Sequence, residues 1–351
     1  MSAEIETVPD ERTESDNDAA LGWPLDPGSP GREVWYGLVS HPEQPIAFWF
    51  RYTMVSTTDG HQEARCWAAI TDRDSGKAST FATRTEALET VDCETKPFRL
   101  AFGDDVELRD DRARGVVTSD RGSIEWDLSY QPDEFVFTPL RSPRVTAFAS
   151  RVLGAGQHWS ANESVRMSGT VTVGDRQIAL DEAFGHQGHT VGRDPPSQWN
   201  WVHCNEFDAD GVVVEALDVD GLLSICLRTP EQNYLLNRLG HILHPRRNKT
   251  VDSAPGTWEF RGRGDGAELR CTVRADTDHW QRAAYLCPDG TKRYNAHCSL
   301  SALELSFRTK GAGGWTEWQT TTTDRARAEW VDTEAPISGE YRPHFSDELD
   351  G

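Results

Sequence analysis

The sequence has no apolar run long enough to span a bilayer as a helix, and its amino terminus is acidic rather than basic and greasy, so neither a membrane helix nor a secretory leader is expected. It lacks a Gly-Lys-Ser/Thr phosphate loop, a dinucleotide-binding glycine fingerprint and a Gly-x-Ser-x-Gly elbow, which removes the commonest nucleotide-dependent and hydrolytic enzymes. Cysteine is sparse: the 7 residues Cys66, Cys93, Cys204, Cys226, Cys271, Cys287 and Cys298 are an odd number, scattered, with no C-x-x-C pair. Free thiols in a reducing compartment, and hence a cytoplasmic protein, are the expectation. Lysine is scarcer still. Only Lys77, Lys96, Lys249, Lys292 and Lys310 occur among 36 basic residues, against 57 acidic ones. The resulting net charge of −21 speaks against a nucleic-acid partner. Folding in concentrated salt, where screening tolerates an acidic surface, accounts for the excess; an acidic face for a basic partner is the alternative.

Aromatic residues are what the chain does have: 13 Trp, 13 Phe and 7 Tyr supply large burial units for a 351-residue protein with only 37% hydrophobic residues. They fall in short alternating runs. Glu33–Val39 and Ala47–Val55 flank His41-Pro42-Glu43-Gln44-Pro45 and read as a hairpin. In the second run Phe48, Phe50, Tyr52 and Met54 share one face, and Trp49, Arg51 and Thr53 the other. Arg65–Thr71, Phe98–Phe102, Val106–Arg109 and Ser123–Tyr130 continue at the even spacing of antiparallel barrels or sandwiches. Helical periodicity is weak, with Glu86–Val91 the one short candidate, and no repeat of 20–50 residues is visible.

Residues 1–31 carry acidic residues, prolines and glycines and are expected to form a disordered tail and linker. The pattern loosens again over Gln131–Gly156, which places a domain boundary near residue 150. The expected fold is all-β, with two consecutive antiparallel barrels or strongly curled sheets. Residues 32–150 make the first, 151–335 the second, and 336–351 a loose tail. Asp175 and Gly174 mark one hairpin turn of the second domain, and Asp220-Gly221 another.

The stretch Ala183–Phe207 concentrates chemistry. His186 and His189 sit in a glycine-broken segment that reads as a polar loop, followed by Gly192, Arg193, Asp194 and a proline pair. Beyond it Trp199, Trp201 and His203 alternate onto one strand face, with Asn205 and Glu206 at its end. A mostly apolar pocket with a few proton donors would be built this way. Metal ligation by His186, His189 and a third ligand such as His203 or Glu182 lacks the helical or cysteine-paired spacing of zinc motifs, so no metal is expected. The bland alternatives are that the histidines bond loop backbone and that the tryptophans fill a core. His241 and His244 share the same spacing but read as solvated loop, and Asp218 and Asp220 as a hairpin end.

Two stretches together resemble a known group. REVWYGLVSHPEQPIAFWFRYTMV, followed by RCWAAITDRD, and GHQGHTVGRDPPSQWNWVHCNEFDADG are similar to the lipocalin-like superfamily of tocopherol cyclase, the carotenoid hydratases and AttH-type proteins. His189 matches the histidine of that pattern, Thr190 its hydroxyl, Gly192 its glycine and Trp199/Trp201 its aromatic pair. Gly188 stands where an aspartate is usual, and Val191 where a tryptophan is. The resemblance implies an apolar, isoprenoid or lipid-like ligand in a barrel pocket. It also implies hydration or cyclisation without a cofactor: His189 would be the proton donor, His186 or Asp194 its partner, and Trp199/Trp201 a shield for positive charge. The loss at Gly188 favours a carrier on the same scaffold, with no chemistry. A surface module whose tryptophans stack on sugar rings is a third reading.

Overall fold

Strict alternation at β1 (Gly31–Ser40) and β2 (Ile46–Ser56) sends Trp35, Phe48, Phe50 and Tyr52 to one side, where they are sealed into a core with Trp126 and Leu128. The computed structural model describes residues 17–75, 80–95, 97–119, 122–141, 156–194, 196–244, 246–276, 280–311 and 313–334. The first sheet continues with β3 (Gln62–Asp72), β4 (Thr80–Glu86), β5 (Val91–Thr95), β6 (Phe98–Phe102), β7 (Val106–Arg109), β8 (Arg112–Ser119), β9 (Gly122–Tyr130), β10 (Gln157–Val173) and β11 (Arg176–Gly192). Its order is β4-β3-β2-β1-β11-β10-β9-β8-β7-β6-β5, all antiparallel, and it curls until β4 approaches β8 and β9 as a nearly closed barrel.

The second sheet uses β12 (Trp199–Cys204), β13 (Val213–Val219), β14 (Leu222–Arg228), β15 (Asn233–Leu236), β16 (Lys249–Ala254), β17 (Thr257–Gly264), β18 (Ala267–Arg274), β19 (Gln281–Leu286), β20 (Lys292–Gly311) and β21 (Gly314–Asp332). The order is β15-β14-β13-β12-β21-β20-β18-β17-β16, with β19 on β20. One short helix, α1 (Leu239–Ile242), follows β15. Both sheets obey one plan. The first strand pairs with the last, β1 with β11 and β12 with β21, and a long terminal hairpin closes each.

The expected all-β fold of two curled sheets is therefore present, but three expectations change. The chain leaves the first sheet between Gly192 and Trp199 rather than near residue 150, because β10 and β11 pair with β9 and β1. Ala183–Gly192 is strand, not loop: its glycines keep the ladder and make room for neighbours' side chains, as Gly185 does for Met167. Residues 17–31 are also tied down. Asn17 is fully buried, its carbonyl accepting the Trp35 indole N–H at 2.9 Å, and its side chain bonded to Asp110 and Gln187. Residues 1–16 and the expected tail at 336–351 lie outside the described residues.

The two sheets pack back to back. Leu38, Trp49, Trp67 and Phe81 from the first meet Trp201, Leu217 and Tyr285 from the second in an aromatic seam distinct from either sheet's own core. Arg327 bolts the seam: its guanidinium donates to Asn205 Oδ1 (2.7 Å) in the second sheet's chain and to Ser40 Oγ (2.7 Å) and the Phe184 carbonyl (3.0 Å) in the first.

Candidate functional site

Among the described residues the cores of both sheets are packed with side chains, and a ligand-sized space lies outside them. It lies in the seam, as a cavity of about 740 Å³ between the facing outer surfaces, a size suited to a small molecule. Tyr36, Trp49, Trp199, Trp201, Leu217 and Val219 make its apolar walls, and Arg32, Arg51, His158, Thr190, Asp194 and Glu329 its polar ones. Leu222, Leu239 and Leu243 stand at its edge. A larger hollow of about 1930 Å³ opens elsewhere, but it is a polar cleft whose central cation, Arg228, is already bound by Asp133 (2.9 Å) and Glu163 (2.8 Å).

One polar cluster backs the aromatic wall. Glu215 is fully buried on β13; both of its oxygens accept from Ser160 Oγ at 2.7 Å, and Oε1 also takes the Trp201 indole N–H at 2.9 Å. His158 Nε2 lies 3.5 Å from the same oxygen, an ion-pair distance rather than a tight hydrogen bond, and His158 Nδ1 faces Thr190 Oγ1 at 3.1 Å. Burial would push the Glu215 carboxyl up, but His158, His186 and the indole outweigh it and hold the group below the usual carboxylate range. Glu329 behaves alike: burial opposes its charge, while His297 (3.2 Å), Arg51 and Asn295 (3.0 Å) keep it low. Two carboxylates thus stay ionised beside an aromatic cavity.

Behind Tyr36 the tautomers are fixed by a single acceptor. The Glu163 carbonyl faces His186 Nδ1 at 3.2 Å and His203 Nε2 at 2.7 Å. A carbonyl only accepts, so both nitrogens carry protons. Burial drives both imidazoles to neutrality, His186 down to about 4 and His203 well below its ordinary value. His186 Nε2 is therefore a lone pair, and it faces the Tyr36 hydroxyl at 3.5 Å. Gly188 is the cross-strand partner of Tyr36, and a side chain there would land on the phenol. The glycine that departs from the resembling family's aspartate is what seats Tyr36. Burial lifts the phenol far above its ordinary range, helped by the charges of Glu215 and Glu329, so it stays a neutral donor.

The sequence-expected residues divide. Trp199, Trp201 and Asp194 line the cavity. His186 and His203 come together, ring centroids 4.2 Å apart, but fully buried behind Tyr36 and Trp201. Asn205 bonds the Gly185 carbonyl (2.9 Å) and Ser164, and serves the seam rather than a ligand. His189 corrects the expectation most. It points to the opposite face of β11, into the first sheet's interior, where Nε2 donates to Glu33 Oε1 at 2.8 Å and the ring stacks on Trp35. It does not reach the cavity, so the expected donor role does not fit its position. His241 is buried rather than solvated, while His244 is exposed. Tyr36, Trp49, His158, Glu215 and Glu329 were missed. The available signal was the second face of β2, where Trp49 and Arg51 are too large and too specific for a solvent face.

Among the described residues no cluster of three or more His, Cys, Asp or Glu side chains could hold a metal ion, and no helix is long and apolar enough to cross a membrane.

Comparison with known proteins defines the architecture. No family model matches the sequence, and no curated protein sequence does. Solved structures do. An AttH-type protein of Nitrosomonas europaea superposes with a TM-score of 0.53 at 14% identity, covering 91% of this chain and 99% of its own. CghA, crystallised with Sch210972, gives a TM-score of 0.50 at 11% identity, covering 92% and 97%. At these identities the likeness is one of fold. The chain is similar to both over nearly its full length, and the resemblance to AttH-type proteins holds at that level.

Proposed function

We propose that the protein binds a small apolar molecule in the seam cavity and carries it through a cofactor-free hydration or cyclisation. The observation that carries this reading is His158: a half-buried imidazole in the wall of an aromatic cavity, its Nδ1 on the hydroxyl of Thr190, which also lines that cavity, and its Nε2 turned to a buried carboxylate, Glu215. Imidazole is the side chain suited to exchanging a proton near neutrality. His158 protonates an alkene carbon through Thr190, whose hydroxyl passes its proton to the carbon as it takes the Nδ1 proton of the imidazole. The carbocation is then captured either by water, which adds and releases a proton, or by a second double bond, which closes a ring before a proton is lost. Both routes return a proton to His158. The faces of Trp49, Trp199 and Trp201, with the charges of Glu215 and Glu329, stabilise the cation. Tyr36, held by His186, positions a polar end of the ligand. The neighbour CghA, crystallised with a small molecule, supports the binding half of the reading.

One observation favours a carrier instead: His186 Nε2 draws the Tyr36 proton away from the cavity. Incubation with a total lipid extract, re-isolation and mass spectrometry separate the two. A bound species gaining one water, or an isomer of shifted retention, is the expected result, lost in His158→Gln with binding retained. A ligand returned unchanged leaves the carrier, and no bound lipid at all overturns the reading.

A further inference from the structure

Among the described residues the large apolar side chains left substantially exposed are few, and three of them, Leu222 (48%), Leu239 (38%) and Leu243 (62%), belong to the edge of the seam cavity. Two come from α1 and its C-cap, and the third opens β14 just after the Asp220-Gly221 turn. Leucines gathered around an opening, rather than scattered, mark a surface that meets something apolar.

Charge says what that is. The chain as a whole is strongly acidic, at −21. Yet the segment 238–249 (RLGHILHPRRNK) carries Arg238, Arg246, Arg247 and Lys249 and no acid at all. All four cations are exposed. Arg238 reaches Asp265 only at 3.8 Å, and among the described residues no carboxylate pairs with Arg246, Arg247 or Lys249. The cavity lining holds three acids, Asp194, Asp220 and Glu329; Asp220 accepts from Ser197 Oγ (3.0 Å) and the Gln198 N–H (3.2 Å), Glu329 is turned to His297 (3.2 Å), and none of them pairs with the four cations of this segment. In a protein that anionic surfaces should repel, one apolar lip is flanked by unpaired cations.

We infer that this lip docks on an anionic lipid surface, with Leu239 and Leu243 entering the interface and Arg246, Arg247 and Lys249 against the headgroups. The inference rests on the proposed binding of an apolar ligand and supplies its route: the molecule passes from the bilayer into the seam without crossing water.

Vesicle co-sedimentation tests it with the full chain. The protein should partition onto phosphatidylcholine vesicles doped with phosphatidylglycerol, much less onto phosphatidylcholine alone, and less as salt is raised. Arg246→Gln/Arg247→Gln should weaken partitioning by roughly 30-fold, from about a five-fold contribution per cation. Leu239→Ser/Leu243→Ser should weaken it on both compositions, with near-ultraviolet circular dichroism checking that each variant folds. Uptake of farnesol from solution, read by tryptophan quenching, is measured in parallel and should be unchanged in the arginine variant. No partitioning onto anionic vesicles overturns the docking and leaves the lip to a protein partner. Partitioning that both variants leave intact overturns it as well, by placing the lipid contact elsewhere. Failure of farnesol uptake in the unaltered protein, by contrast, defeats the cavity reading itself.

Discussion

Two histidine–carboxylate pairs sit on either side of the first sheet, and the difference between them separates architecture from chemistry. His189 and Glu33 are both fully buried and joined at 2.8 Å. Glu33 also accepts the backbone N–H groups of Ala20 (2.6 Å) and Leu21 (3.1 Å) and the Trp23 indole (2.7 Å). This carboxylate is saturated by donors and ties the N-terminal segment to the sheet. His158 and Glu215 stand 3.5 Å apart, with the imidazole 14% exposed to the seam cavity. The same residue types make a staple in a sealed interior, and at the cavity wall the pair to which the proposed function assigns proton transfer.

The comparison can be broken most forcefully at the staple. Glu33→Ala orphans four donors and should destabilise the protein by about 4 kcal/mol or more, at about 1–3 kcal/mol for each donor left unsatisfied, read from urea unfolding, while the folded fraction still binds farnesol. Glu215→Ala should cost less, about 2–3 kcal/mol for the orphaned Ser160 hydroxyl and Trp201 indole, but should abolish turnover. A larger loss at Glu215 than at Glu33 would reverse the assignment.

Acidity probes the neutral imidazoles next. His186 and His203 have native values below the ordinary 6.5, so their contribution is complete above pH 6.5 and drains as pH falls toward 4. Glu163 opposes them: burial raises it from 4.5 to about 7, so its contribution is present below pH 4.5 and lost as pH rises through 7. Between pH 4.5 and 6.5 the net effect is a loss of about 1.4 kcal/mol per unit of acidification, one proton's worth. Glu163→Gln should steepen that slope toward two protons, and a flat profile in both proteins would mean the imidazoles are charged. The smallest stability effect belongs to His158→Gln, under about 1 kcal/mol, although it should remove turnover while farnesol affinity stays within a few-fold.

Local pattern carried much of this into view. The alternation of β1 and β2, the shared face of Trp199, Trp201 and His203, and the all-β class follow from periods that any strand must show. What stayed hidden was pairing at a distance. Nothing in Gly185–Gly188 says that β1, some 150 residues earlier, supplies the ring that needs the missing side chain, so two glycines read as a loop. The first half of β10 does not read as strand because His158, Ser160, Asn162 and Glu163 look like solvent-facing residues; Ser160, Asn162 and Glu163 are buried and His158 half-buried, and each has a partner on another element. A pocket inside one barrel was the natural guess from one amphipathic strand. Only the second buried face, with Trp49 and Arg51 outward on β2, forces the space between sheets.

The short tether from Gly192 to Trp199 joins the central strand pair of one sheet to that of the other, and Asp194, Pro196 and Ser197 on it also line the cavity. Any hinge between the halves therefore has its pivot in the ligand's own wall. A guest held there acts as mortar: it resists the halves parting, so filling the space should merge two melting events into one and make their separation a measure of occupancy.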